Sequence, residues 1–521
     1  MSLISVLTPV YNPEPRVLEE MIRSVVGQTY GGWELCLVDD CSSDPAVGRV
    51  LAGWEARDAR IRVSRRTENG GISNASNDAL LMARGDVVAL VDHDDVLDRE
   101  ALGAVNHAFV THRDVDVVYT DEDKLDLDGS HREPFRKPGW SPDYLEGCMY
   151  LGHLAAYRTS LVRSVGGFTV GREGSQDWDL ALRVTEQARA VHHIPEVLYH
   201  WRMSAASVAL DVAAKPWAIT AARLAVEAHA ARQHGNAVVE ESGHPGWFLV
   251  RPQLEELPHV SAVIPTAGSM AGEDVEPYRL VDRCLEQLLD HTDYAELDIV
   301  VVVSANAPED LQDELPARFG ERVRAVRLEG AFNYSRSINQ GVLRTTSPYV
   351  LLLNDDTEPL SPDWLLRLVE AASRPDVGVV GAKLLYPGAL VQHAGVSHTT
   401  GGLPYHPHAG EHDDFGYFGE KLLTMNYLAV TGACQVMRRE VFDEVGGYDT
   451  ELPLNYNDID FCLRAVTRGY RIVQLNAARL VHHESVTRPR GVHSSEQELF
   501  QHRWGHQTCN DPYQRRALRP A

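Results

Sequence analysis

Three scarcities in this chain each remove a class of protein. Cysteine is sparse and unpaired: Cys36, Cys41, Cys148, Cys284, Cys434, Cys462 and Cys509 include no C-x-x-C spacing. That argues against a zinc site or a disulfide framework and for a reducing, cytosolic setting. No apolar run approaches the roughly 18 residues a membrane-spanning helix requires, and Asn12 and Glu14 interrupt any signal-peptide pattern early. The expected location is cytoplasmic or peripheral to the inner face of the cell membrane, with no transmembrane segment. Positive charge is also short. Forty-nine basic against 74 acidic side chains leave a formal net charge of −25, so no nucleic acid is expected as partner. A phosphorylated small molecule remains compatible if a cation mediates its contact. No G-x-G-x-x-G follows the first apolar strand, where Thr8-Pro9-Val10-Tyr11-Asn12 stands, which counts against a dehydrogenase.

What the 521 residues do contain is one plan twice over. Ser5-Val6-Leu7-Thr8-Pro9 reads as a buried strand, and Ser261-Ala262-Val263-Ile264-Pro265 repeats it 256 positions later. Second strands follow at Trp33 to Val38 and Leu297 to Val303. Val87 to Val91 runs into Asp92-His93-Asp94-Asp95, and Tyr349 to Leu353 runs into Asn354-Asp355-Asp356. Gly166-Gly167-Phe168 precedes Asp177, and Gly446-Gly447-Tyr448 precedes Asp458. His200 lies 23 residues after Asp177, and His482 lies 24 after Asp458. Apolar strands alternating with amphipathic helices predict an α/β fold in each half, a mostly parallel sheet covered on both faces. The expected domains are residues 1–235 and 259–490, joined by a linker at 236–258 behind an Ala-rich helix. A polar extension at 491–521 either docks or trails.

In such sheets ligands bind beyond the carboxyl ends of the strands, where Asp39, Asp94 and Asp356 fall. Asp92-His93-Asp94-Asp95 crowds three carboxylates. It is either a solvated turn or a site for a hard divalent cation, Mg²⁺ or Mn²⁺, which takes oxygen ligands. Recurrence at Asn354-Asp355-Asp356 favours the cation. Asp39 could accept hydrogen bonds from a base edge or a ribose. Asp177 and Asp458 each open a helix-like segment, and an acid there either complements the helix dipole or serves as a general base. His200 and His482, each at a similar interval from its Asp, read as a third cation ligand or a diphosphate contact. The group His393, His398, His406, His408 and His412 matches no zinc template.

These motifs together resemble two tandem inverting glycosyltransferases of family 2 with the GT-A fold, of the kind found in bacterial surface-polysaccharide assembly (O-antigen or capsule type). Val38-Asp39-Asp40, Asp92-His93-Asp94-Asp95, Gly174-Ser175-Gln176-Asp177 and Tyr199-His200-Trp201-Arg202 carry the resemblance in the first half. Leu353-Asn354-Asp355-Asp356-Thr357, Gln392-His393-Ala394-Gly395, Thr431-Gly432-Ala433-Cys434, Asn457-Asp458-Ile459-Asp460 and His482-His483-Glu484-Ser485 carry it in the second. The resemblance implies catalytic bases at Asp177 and Asp458, and cation binding through Asp94, His200, Asp356 and His482. It implies donor contacts at Pro9, Tyr11, Asp39, Asp92, Pro265 and Asn354, the last replacing the first acid of its motif. The implied cofactor is a divalent cation, Mn²⁺ or Mg²⁺. The implied donor is a UDP- or dTDP-sugar, and the acceptor a saccharide or lipid-linked saccharide. One departure stands out: Ser304-Ala305-Asn306 occupies the place where relatives carry Asp-Asn-Gly, so the second nucleoside pocket lacks its expected acid. The leading expectation is a bifunctional enzyme. The alternative has one catalytic half, the first, and a non-catalytic second half that binds the acceptor or acts as a scaffold.

Overall fold

The computed structural model describes residues 2–126, 128–203, 216–272, 277–483 and 494–514. The chain divides into two compact units, Met1–Val250 and Arg251–Gln514.

In the first unit nine strands form one sheet: β1 (Ile4–Val10), β2 (Trp33–Asp39), β3 (Ile61–Arg65), β4 (Val87–Leu90), β5 (Val96–Leu97), β6 (Val117–Leu125), β7 (His131–Phe135), β8 (Ala155–Arg158) and β9 (Val191–Arg202). Their order is β3-β2-β1-β4-β8-β6-β9-β5, with β7 on the side of β6. The first four are parallel, as continuous apolar runs such as Ile4–Val10 predict. β8 then enters antiparallel between β4 and β6, while β6 and β9 are parallel again. The strand order reverses between β1 and β4, the switch point beyond which ligands bind in sheets of this kind.

The second unit repeats this with β10 (Val260–Thr266), β11 (Leu297–Ser304), β12 (Val323–Leu328), β13 (Tyr349–Leu353), β14 (Thr357–Pro359), β15 (Val377–Leu385), β16 (Val391–His393), β17 (Thr424–Tyr427), β18 (Cys434–Arg438) and β19 (Arg471–His482). The order is β12-β11-β10-β13-β18-β15-β19-β14, with β16 beside β15 and β17 beside β19. The expected α/β class holds for both units, and the sheet is mixed beyond the fourth strand.

Each unit carries a helix opened by its candidate base, α1 (Gln176–Thr185) and α3 (Asn457–Thr467), and a later helix, α2 (Pro216–His234) and α4 (Ser494–Thr508). The later helix packs on the base helix in both units. The Ala-rich helix is thus part of the first unit, and the polar extension docks through 494–514. The stretch read as a linker holds a hairpin, Ala237–Glu241 against Phe248–Pro252, and Phe248 is buried with its ring 6.0 Å from that of Trp178.

α2 is held by charge as well as by alanine packing. Buried His229 bonds Glu186 (2.6 Å) and Glu146 (3.4 Å), His234 bonds Glu146 (2.8 Å), and Arg232 grips Glu186 with two nitrogens. Burial alone would lower the His229 pKa, but the two carboxylates raise it to about 9. A folded-state pKa above the unfolded value of about 6.5 adds stability that is complete below pH 6.5 and lost as pH rises through 9. The first unit is therefore expected to lose about 3 kcal/mol between pH 6 and pH 10 through this group. His229→Gln should flatten that part of the profile, as read by denaturant melts across the range.

Candidate active site

The second unit gathers its predicted residues around one cleft of about 530 Å³ at the carboxyl ends of β10, β11 and β13. Pro265, Ser304, Asn354, Asp356, Asp458 and His482 all line it. Asp356 follows β13, and His482 ends β19, with Thr357 and His482 paired across strands. His482 Nε2 lies 3.0 Å from Asp356 Oδ1, yet no hydrogen bond satisfies that buried oxygen. The orientation of the ring explains this. Gln392 donates its amide to the His482 carbonyl (3.4 Å), so its own Oε1, 2.6 Å from His482 Nδ1, accepts the Nδ1–H. In the neutral form of the ring the proton sits on Nδ1, and the lone pair of Nε2 faces Asp356 and Asn354 Nδ2, 3.3 Å away. A histidine lone pair and an unsatisfied carboxylate oxygen facing each other form a cation's donor set, with Gln392 fixing the tautomer from behind.

Negative charge is dense here. Burial and the Asp356 charge raise the Asp355 carboxyl to about 7, although Thr266 donates to it at 2.6 Å. Burial also pushes Asp356 upward; when His482 is protonated, its charge and its Nε2–H outweigh this and hold Asp356 below the usual carboxylate range, and a cation takes the place of that proton. Nitrogen and oxygen donors converging in an acidic, half-enclosed cleft fit Mn²⁺ or Mg²⁺.

Asp458 stands at the start of α3. Its Oδ1 accepts the Ile459 amide (2.9 Å) and its Oδ2 the Gly432 amide (2.7 Å). A Cβ at Gly432 would lie 3.1 Å from Asp458 Cβ, so the bare glycine permits this approach. Tyr334 Oη lies 3.0 Å from Asn354 Oδ1 and 3.2 Å from the Gly432 carbonyl, tying the two sides of the cleft together.

The first unit places its counterparts similarly but not identically. Asp177 Oδ1 accepts the Trp178 amide at 2.9 Å, the same contact that Asp458 makes with Ile459. Burial raises the Asp177 pKa, with opposing influence from His153 and a further rise from Asp92, so these three side chains share one electrostatic neighbourhood. Asp94 is half-buried and raised chiefly by burial, and its carbonyl accepts Arg202 Nε (2.7 Å). Pro9, half-buried between buried Thr8 and Val10 of β1, has its carbonyl 3.2 Å from His93 Nδ1, and Tyr11 is exposed. Asp39 Oδ1 accepts the Ser42 amide at 2.9 Å.

His200 departs from the expected pairing. Its Nδ1 lies 2.7 Å from Asp123 Oδ1, and His131 Nδ1 lies 3.0 Å from Asp123 Oδ2. Among the described residues, no contact joins His200 to Asp94 as His482 is joined to Asp356. Strand register supplies the reason. His200 pairs with Val96, which follows Asp95, whereas His482 pairs with Thr357, which follows Asp356. Asp95 therefore stands before the histidine's strand partner as Asp356 does, although counting from the preceding strand makes Asp94 the counterpart of Asp356, and the Asp95 oxygens are taken by the Tyr199 hydroxyl and the Arg202 amide. The carboxylates of Asp92 and Asp95 converge with His153, whose Nε2 lies 3.8 Å from Asp92 Oδ2.

Register also refines the departure at Ser304. Val10 pairs with Asp39 and Thr266 with Val303, which makes Val303 the counterpart of Asp39 and Ser304 that of Asp40. Asp40 is fully used, accepting the Gly70 and Gly71 amides and facing Arg66. Ser304 Oγ is buried without a hydrogen bond at the wall of the cleft.

A family model described as "Glycosyl transferase family 2" matches residues 5–166 and again 261–446, about two thirds of the chain and once in each unit. The chain belongs to glycosyl transferase family 2. An uncharacterized protein, y4gI, of Sinorhizobium fredii is 42% identical over 98% of this chain and 57% of its own length. The O-antigen biosynthesis protein RfbC of Myxococcus xanthus is 35% identical over 93% of this chain and 38% of its own. The chain thus spans little more than half of one relative and well under half of the other. Among solved structures, Staphylococcus aureus TarS 1-349 in complex with UDP-GlcNAc overlaps 44% of this chain and 66% of its own at 21% identity and a TM-score of 0.36.

Within this family 2 chain, sequence reasoning missed His153, Asp95 and Gln392 as neighbours of the two sites. His153 could have been found by aligning the halves: the pairings of Leu90 with Ala155 and Leu353 with Cys434 bring His153 and Ala433 to equivalent places. Asp95 is betrayed only by strand pairing, and Gln392, quoted within the motif Gln392-His393-Ala394-Gly395, gains its role only from its contact with His482.

Proposed function

We propose that each unit transfers a sugar, with inversion, from a nucleotide diphosphate to a hydroxyl of a saccharide or lipid-linked acceptor, in the assembly of a bacterial polysaccharide. The domains 1–235 and 259–490 would then hold one site each, working in the cytoplasm or at the inner face of the membrane. The observation that carries this reading is that Asp458, Asp356 and His482 line one cleft. Asp458 faces the incoming hydroxyl, held by the amides of Gly432 and Ile459 so that a remaining lone pair can take the proton. The hydroxyl oxygen bonds to the anomeric carbon as the bond to the diphosphate breaks, and the proton passes to the carboxylate. Attack from the face opposite the diphosphate inverts the centre without a covalent sugar–enzyme species. A divalent cation, held by Asp356 and His482 in the second unit and through Asp94 in the first, would neutralise charge on the departing diphosphate. Asp177 repeats the role of Asp458, and its burial raises its proton affinity toward what a base at neutral pH needs.

The test is a panel of UDP- and dTDP-hexoses incubated with the full chain and Mn²⁺ or Mg²⁺, with release of nucleotide diphosphate as readout. Cation-dependent release from at least one donor is expected, and none from any donor would overturn the reading. The orienting role of Gln392 gives a narrower expectation. Gln392→Leu frees the His482 ring and should weaken Mn²⁺ binding by about 10–100-fold, read by titration calorimetry. Unchanged affinity would remove the cation from the Asp356–His482 pair.

A second reading, in which only one unit catalyses, is favoured by Val303 standing where Asp39 does. The base variants considered in the Discussion separate the two.

A further inference from the structure

The wall of the second cleft next to Asp458 is formed by Leu454, Asn455 and Tyr456. None of these residues belongs to a helix or a strand, and Tyr456 has φ +62°, a left-handed conformation costly for a side chain of its size. Something outside the loop must hold it.

That support is α4. Glu496 is buried at 3% exposure, and its Oε1 accepts both the Leu454 and the Asn455 amides at 2.9 Å, while its Oε2 accepts Asn455 Nδ2 at 2.7 Å. One turn further, Phe500 is fully buried and stacks on the Tyr456 ring, with centroids 4.8 Å apart and planes 19° apart. Trp504 Nε1 donates to Asp460 Oδ1 (2.8 Å), two residues past the base, and Arg503 pairs with Asp449 and Glu451 at the start of the loop. An apolar side chain at 496 would serve for docking alone, since Phe500 already fills the interface. A buried carboxylate is tolerated only where charged hydrogen bonds compensate it, and all three that it makes go to two adjacent residues of the cleft wall. Among the described residues the first unit shows no such device. There Ser175 Oγ bonds the Ala218 carbonyl and Gly174 donates to Gln176, so no acid from α2 reaches the loop before Asp177.

Resting on the transfer reading above, we propose that Glu496 is a positioning residue for the second site. It fixes Leu454–Tyr456 as the surface against which the acceptor saccharide lies while its hydroxyl meets Asp458. The donor side of the cleft, Asn354, Asp356 and His482, makes no hydrogen bond to α4 among the described residues. The effect is therefore confined to the acceptor.

The experiment uses the full chain as wild type, Glu496→Ala, Glu496→Gln, and Glu496→Gln combined with Asn455→Asp. Glutamine keeps one oxygen for the two amides but turns its NH₂ against that of Asn455. Aspartate at 455 restores a donor–acceptor pair. With the donors of the panel and octyl glucoside and octyl galactoside as acceptor probes, Glu496→Gln should raise the acceptor KM about tenfold, leave the donor KM unchanged, and be reversed by the second substitution. An unchanged acceptor KM, or a donor KM that rises equally, overturns the proposal. Hydrogen exchange at the Leu454 and Asn455 amides reads the clamp without any turnover. Exchange should be slow in wild type and in the double variant and at least about tenfold faster in Glu496→Ala. Equal rates overturn the proposal, whereas slow wild-type exchange in a chain that transfers nothing counts against the transfer reading alone.

Discussion

Asp458→Asn is expected to lower transfer by the second unit by about 10²–10⁴-fold while leaving the donor KM unchanged. The isosteric amide keeps the Ile459 contact that opens α3 through its oxygen, while its NH₂ faces and loses the Gly432 amide. It cannot take a proton from the attacking hydroxyl, and the loss therefore falls on kcat. Asp177→Asn should do the same to the first unit, whose contact with Trp178 is likewise preserved. Product analysis by mass spectrometry distinguishes the two readings. If both units catalyse, each variant abolishes one linkage and spares the other. If one variant leaves every product intact, that unit is not an active site as drawn, and it becomes the acceptor-binding or scaffolding partner.

Much of this was legible in the residues because it depends on short-range pattern. Continuous apolar runs specify parallel strands covered on both faces, and an acid just after such a run must fall at the carboxyl edge of the sheet. Five landmarks repeated in the same order sufficed to show duplication. In the second unit the residues chosen on that basis, Pro265, Asn354, Asp356, Asp458 and His482, do share one cleft. What escaped depends on strand register and long-range contact. A shift of one residue at the Asp92–Asp95 turn changes which acid stands before the partner of the histidine, and no local pattern encodes that shift. The docking of α4 was equally hidden. Its buried residues are Glu496, Phe500 and Thr508, too few and too polar to draw an apolar stripe, because the helix is held by ionic and hydrogen bonds more than by a greasy face. The expectation that the acid is missing at Ser304 was displaced by one residue for the same reason: only pairing with Thr266 identifies Val303 as the counterpart of Asp39.

The second large effect concerns the cation. Asp356→Ala removes the oxygen that faces the His482 lone pair and leaves a ring that Gln392 still orients but that has lost its anionic partner. Neutralising a departing diphosphate is worth several kcal/mol, so the loss should be about 10²-fold or more in second-unit transfer. Activation by Mn²⁺ should weaken in the same proportion, whereas EDTA on the wild type should reproduce the defect. Thermal stability is expected to change little, because relief of the repulsion between Asp355 and Asp356 offsets the lost contact of Asp356 with His482. In the first unit the matching variant is Asp94→Ala. Asp95 is committed to Tyr199 and the Arg202 amide, and its loss would unsettle the sheet edge before it informed on the cation. Transfer that survives Asp356→Ala with unchanged Mn²⁺ dependence would mean that the acid and histidine are a structural pair, and that the diphosphate charge is met elsewhere in the cleft.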